Sequence, residues 1–191
     1  GIGCYALTAL TVGSNNIGIG KQSGDAITTG TDNIAIGRLS ASATADGADN
    51  IAIGRSAFAV SAATARENVA IGLSAMGTSL VTGIGNIALG ASALDEILGG
   101  NCNIAMGVHA LGAATTGSDN IAIGRLSIGT GATTGTGNVG LGISALSALI
   151  GGTNNIGIGK QSGDAITTGT DNIAIGRLAF SASTDGADNI A

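Results

Sequence analysis

The sequence predicts an all-β parallel β-solenoid, a single array of about eleven coils from residue 1 to residue 191, each coil roughly 17–18 residues long. Three observations predict it. A unit of the form Asn-(Ile/Val)-(Ala/Gly)-(Ile/Leu/Met)-Gly recurs at near-constant intervals along the whole chain. Inside each unit large and small side chains alternate strictly, which is the period of a strand. The composition, 35 Gly, no Pro and 2% aromatic residues, leaves little material for the core of an ordinary domain.

The unit begins at Asn16, Asn33, Asn50, Asn68, Asn86, Asn103, Asn120, Asn138, Asn155 and Asn172, with a further Asn189 opening an incomplete copy. Counting from this Asn as position 0, the alternation makes +1 and +3 the expected core face of a strand. The expected core aliphatics of the first half are Ile17, Ile19, Ile34, Ile36, Ile51, Ile53, Val69, Ile71, Ile87 and Leu89. In the second half they are Ile104, Met106, Ile121, Ile123, Val139, Leu141, Ile156, Ile158, Ile173 and Ile175. The recurring Asn is read as a structural ladder: stacked amides bond from coil to coil, and Asn tolerates turn geometry.

Punctuation comes next. Gly occupies +4 in every complete unit and −3 in all but one, where Ala65 stands. Both mark changes of direction that need positive φ or close backbone approach. Links such as Thr28 to Asn33 carry turn chemistry, and Gly recurs too often for helix. Position +7 is only Ala or Ser. Position +8 holds Phe58, Met76, Leu94, Leu111, Ile128, Leu146 and Phe180, a second and looser apolar column on a return strand, interrupted by Gly24 and Gly163. The shortage of aromatics is expected from a narrow interior. A unit this short cannot bury its own apolar face, so stability must come from stacking.

Position +2 is only Ala or Gly. A solvated face would tolerate larger polar side chains, so the favoured reading is close packing against another copy of the chain. The plainer alternative is that +2 lines a narrow coil interior.

Several function classes are excluded on composition. Seven Lys+Arg against twelve Asp+Glu leave no basic face for nucleic acid. With 44% apolar residues and a net charge of −5 the chain is not of disordered type. The charge-free run from Leu126 to Gly159 is broken by Gly and Asn, so no membrane span is expected in this segment. No catalytic residue, metal site or cofactor site is expected. His109 lacks triad partners, and Gly20-Lys21 and Gly159-Lys160 are followed by Gln rather than the Ser or Thr of a phosphate loop. Cys4 and Cys102 fall six coils apart, roughly 29 Å, and are expected as free thiols.

The Asn-Ile-Ala-Ile-Gly-x-x-Ala/Ser units resemble the head repeats of YadA-like trimeric autotransporter adhesins. They also resemble the Asn-x-Ala-Ile-Gly repeats of phage and phage-like tail fibres, and the length of the unit fits that type better. The resemblance covers the whole chain. It implies a left-handed β-roll, a homotrimer about a common axis, an extracellular location on a bacterial surface or virion, and a structural or adhesive role toward a cell-surface receptor or glycan. The array starts and stops within a unit, so a segment of a longer fibrous protein is expected. Residues 13–39 return as 152–178 with one change, Ser14 to Thr153, an offset of eight coils.

Two charged columns remain. Lys21, Arg38, Arg55, Arg125, Lys160 and Arg177 share +5; Asp32, Asp49, Glu67, Asp119, Asp171 and Asp188 share −1. Ion pairing between coils or chains is the favoured reading, ahead of a glycan-binding stripe or a calcium site. An alternative function is a surface-recognition solenoid for carbohydrate or ice, suggested by Thr28-Thr29, Thr115-Thr116, Thr133-Thr134 and Thr167-Thr168. Any receptor contact is expected in the variable stretches, such as Ser42 to Asp46 and Ser61 to Ala65.

Overall fold

The computed structural model describes residues 1–61, 65–129 and 131–191. Its architecture is a parallel β-solenoid without helix among these residues. Ten three-residue strands follow one another: β1 (Ile17–Ile19), β2 (Ile34–Ile36), β3 (Ile51–Ile53), β4 (Val69–Ile71) and β5 (Ile87–Leu89). Then come β6 (Ile104–Met106), β7 (Ile121–Ile123), β8 (Val139–Leu141), β9 (Ile156–Ile158) and β10 (Ile173–Ile175). Each pairs in parallel with the next, giving one sheet in the order β1 to β10. The register is that of the repeat itself, for example Ile17 opposite Ile34 and Ile51 opposite Val69. The sheet therefore makes about nine turns rather than the eleven coils expected. At its two ends the incomplete units add only single bridges, Ile2 to Ile19 and Ile173 to Ile190.

The strand is short because its ends are fixed by backbone conformation. Gly at +4 takes φ between 125 and 139° in every strand-bearing coil, for example Gly107 at 136°, a conformation closed to residues with a Cβ. Gly at −3 serves the other purpose, close approach: a Cβ on Gly30 would stand 2.5 Å from the carbonyl oxygen of Gly47.

Three further positions per coil have positive φ although most carry ordinary side chains. Position −1 holds Asn15, Asp32, Asp49, Glu67 and Cys102 at 56–59°. Position +6 includes Leu39 and His109 at 59 and 54°, and +8 includes Phe58 and Ile128 at 51 and 45°. Each such residue is strained by roughly 1–2 kcal/mol in isolation. The strain is offset by the hydrogen bonds it makes available. The N–H of Leu39 at +6 points back to the preceding coil and donates to Lys21 O at 3.0 Å, whereas that of Phe58 at +8 points forward to Ala75 O at 2.9 Å. Successive peptide groups thus aim both ways along the rod, and every coil is bonded to two neighbours.

The core is not where alternation alone placed it. All twenty +1 and +3 aliphatics are half-buried or exposed, and the middle residue of every strand is buried. This corrects the expected core set of Ile17, Ile19, Ile34, Ile36, Ile51, Ile53, Val69, Ile71, Ile87 and Leu89. It also corrects Ile104, Met106, Ile121, Ile123, Val139, Leu141, Ile156, Ile158, Ile173 and Ile175. The physical reason is parity. The Asn at position 0 turns its amide inward, so +2 faces inward too, and +1 and +3 face out. The interior then admits only a small side chain at +2, because the +8 side chains already fill it. A Cβ on Gly18 would lie 2.7 Å from Leu7 Cγ, and one on Gly157 would lie 2.8 Å from Leu146 Cγ. Lining a narrow interior, not packing against another copy, is therefore what restricts +2.

The real core consists of the +2 alanines, the +7 Ala and Ser, and the +8 column with Met76, Leu94, Leu111, Ile128 and Leu146 fully buried. Phe58 is buried as well, so the interior does hold an aromatic ring. Its predecessor in the column is the buried Ala41, and a large and a small side chain share the space. The +8 column lies on a corner, not on the return strand expected for it. Where the column has Gly24 and Gly163, Ile27 and Ile166 reach across: each Cδ1 lies within 3.0 Å of the point a Cβ would occupy.

Candidate assembly face

The inward turn of the Asn residues builds a continuous amide ladder. In each coil the Asn Oδ1 accepts two hydrogen bonds from the Asn of the next coil, one from its backbone N–H and one from its Nδ2. Asn103 Oδ1, for instance, accepts from Asn120 N at 3.0 Å and Asn120 Nδ2 at 3.1 Å. Its Nδ2 donates to Asn86 Oδ1 at 3.0 Å and to Gly117 O at 2.8 Å. All four bonding positions of the buried amide are satisfied, which removes the penalty of burying it. From Asn33 to Asn172 these residues are buried; Asn16 and Asn189 are half-buried. The ladder expected from the sequence is present, and it sets the outward face.

That face is a flat sheet carrying two aliphatic columns. Ile17 is 47% exposed, Leu89 41% and Ile175 59%. The apolar surface widens at +5 in three of the four units where a base is missing, through exposed Leu73, Val108 and Ile143. From −1 to +5 the face is at most about 20 Å wide, and ten strands make it about 45 Å long. The whole face, about 900 Å², matches the roughly 800 Å² one partner contributes to a standard interface; its aliphatic stripe from +1 to +3, about 10 Å wide, makes up about 450 Å² of it, the size of the largest apolar patch on an ordinary monomer.

The charged columns border this face on opposite sides, and all twelve of their side chains are exposed. No ion pair joins them among the described residues. Position −1 has a local reason for its composition: Asn, Asp and Gly reach positive φ more readily than other residues. The charge there also makes contacts along the rod, since Asn15 Nδ2 donates to Asp32 Oδ1 at 2.9 Å and Asn154 Nδ2 to Asp171 Oδ1 at 3.1 Å.

The paired threonines do not form an open array. Thr28 and Thr29 both donate to Asp46 Oδ1, and Thr167 and Thr168 both donate to Asp185 Oδ1. The Thr29 hydroxyl first and the Thr28 hydroxyl second hold the Asp46 carboxyl below the usual aspartate value. Thr168 and then Thr167 do the same for Asp185. Thr133 is buried and donates to Leu149 O at 3.1 Å. Of the variable stretches, Ser42 to Asp46 is described, with Thr44 buried against Ser61; residues 62–64 of the second stretch lie outside the described residues.

Among the described residues no group of His, Cys, Asp and Glu is placed to hold a metal, and no pocket is present. Cys4 and Cys102 are free and exposed. No described helix is long and apolar enough to cross a membrane. His109 is exposed at a positive-φ corner. No family model matches the chain, and neither a curated protein nor a solved structure matches it.

Proposed function

We propose that the chain is a structural and adhesive segment of an extracellular fibre of the YadA-like or phage tail-fibre kind, left-handed and assembled from three parallel copies, with no catalytic role. The observation that carries this is the outward face: ten strands that each turn two aliphatic side chains to solvent. Covering such a surface is worth about 25 cal/mol per Å² before the losses of association. Aliphatic side chains recur at +1 and +3 of every complete unit, so a second copy presents a matching surface at every level. The homotrimer packs through the +1 and +3 side chains, with the small side chains at +2 kept for the interior. Receptor or glycan contacts fall on the variable turns away from this face.

Native mass spectrometry and sedimentation of the 191-residue chain test the assembly. A species of three 18.0 kDa chains is expected. A chain that stays folded and monomeric at tens of micromolar overturns it. Binding to immobilised cell-surface glycans tests the adhesive part.

A further inference from the structure

The two charged columns follow each other from coil to coil. Wherever +5 is Arg, −1 of the same coil is Asp: Asp32 with Arg38, Asp49 with Arg55, Asp119 with Arg125, Asp171 with Arg177. Wherever +5 is Lys, −1 is Asn, as at Asn15 with Lys21 and Asn154 with Lys160. In the coils where +5 is Ala91, Val108 or Ile143, −1 is the uncharged Gly85, Cys102 or Gly137. Glu67, beside Leu73, is the one acid of its column without a base at +5, Asp188 apart, whose unit ends before +5; the seventh base, Arg66, precedes it at −2. This matching has no use within one chain, because the columns stand on opposite borders of the sheet and no ion pair joins them among the described residues.

We infer that the two columns are a direction and register code for self-association, read when the aliphatic faces of two copies meet. The inference rests on the self-assembly reading above and adds what orients it. When copies pack face to side with their rods pointing the same way, the −1 border of one lies against the +5 border of the next. This holds for a facing pair and for a closed ring. At the same level Arg38, Arg55, Arg125 and Arg177 meet an acid, and set one coil further on Lys21, Arg38, Arg55, Lys160 and Arg177 do. Arg125 meets Asp119 at its own level, Lys21 and Lys160 meet Asp32 and Asp171 one coil on, and Arg38, Arg55 and Arg177 meet an acid at both. A slip of one coil in the other sense leaves only Arg55 with an acid, Asp32. Rods pointing in opposite directions bring acid column to acid column and base column to base column. Repulsion between like charges penalises that arrangement. The flat aliphatic columns have nearly the same shape at every coil and do not discriminate direction or register; the charges select the direction and disfavour the slip in the other sense.

Two measurements on the whole chain test this. The variant Cys102→Ser keeps Cys4 as the sole thiol, near one end of the rod. Nitroxide labels at Cys4 give an inter-label distance below about 30 Å if rods run the same way, and on the order of 50 Å if they run oppositely. In parallel, one variant carries Arg38→Glu, Arg55→Glu and Arg177→Glu, and another carries Asp32→Lys, Asp49→Lys and Asp171→Lys. Circular dichroism establishes that each is folded; Glu67 already shows that a longer side chain adopts the −1 geometry. Each reversal alone weakens association on the order of tenfold or more at low salt, and combining both in one chain restores most of it. The longer of the two label distances overturns the inference. Association that ignores both reversals overturns it too, while leaving self-assembly standing. A wild-type chain that never associates removes the self-assembly reading and the code together.

Discussion

Asn50 Oδ1 accepts both the backbone N–H and the side-chain Nδ2 of Asn68, at 3.1 and 3.2 Å, across an 18-residue coil. The same pair of bonds spans the 17-residue coils, as between Asn33 and Asn50. The extra residue is therefore absorbed outside the ladder, and the ladder keeps successive strands in register whatever the length of the turn.

Removing one rung should be severe. Asn103→Ala would leave Asn120 N and Nδ2, Asn86 Oδ1 and Gly117 O each short of a bond in the interior. A loss of roughly 3–5 kcal/mol is expected, read by denaturant unfolding and by hydrogen exchange at the neighbouring coils. Asn16→Ala, at a half-buried position, should cost less. Equal effects would show that burial of the ladder is not what matters.

Glycine positions should separate by reason. Gly107→Ala meets the carbonyl of Gly124 at 2.7 Å with φ at 136°, so several kcal/mol are expected. Gly24→Ala meets only the ends of Ile27 and Leu7, with φ at 58°, and Ala41 already occupies the equivalent corner; about 1–2 kcal/mol is expected. Gly99→Ala, with nothing nearer than 3.5 Å, should be neutral within about 0.5 kcal/mol. Thermal unfolding of the three variants checks the order.

The inversion of the core has its own test. Leu94→Ala empties a fully buried position and should lose about 2–5 kcal/mol. Ile19→Ser, on the outward face and 38% exposed, should change the stability of a dissociated chain by less than about 1 kcal/mol. It should instead reduce self-association. Unfolding at low concentration, paired with sedimentation at high concentration, distinguishes the two effects.

The Thr-capped acids predict a pH effect of defined sign. Asp46 and Asp185 have carboxyl groups lowered from 3.8 in the folded chain. A lowered folded value means the contribution is present above the unfolded value and is lost as pH falls through the folded one. Carboxyl NMR should find both titrating below 3.8. Thr29→Val should return Asp46 upward toward it, and Thr168→Val should do so for Asp185. An unchanged midpoint in either variant would remove the hydroxyl as cause.

Much of this was legible in the linear pattern because a solenoid turns sequence period directly into spatial period. Asn at 0 and Gly at +4 each recur without exception in the complete units, and each proved to have one structural task. The positive φ at −1 also left a trace, since Asn, Asp or Gly stands at nine of its eleven positions, Glu67 and Cys102 being the others. The corners at +6 and +8 left none: Leu39, Phe58 and Ile128 are ordinary choices for other conformations, and only the hydrogen bonds between coils hold them there.

The sequence by itself determined the period, the short strand in each coil, the Asn ladder and the restriction of +2 to Ala or Gly. Which side of the strand faced inward was decided only in the tertiary structure. Alternation has the same period on both faces, so Ile-Ala-Ile reads equally well with the large residues inside or outside. The choice was made by contacts remote in sequence. Inward amides fixed the parity, and the +8 side chains of the corner filled the space that Ile17 or Ile19 would otherwise have taken. The aliphatic columns were left facing water, and with them the surface on which the proposed assembly rests.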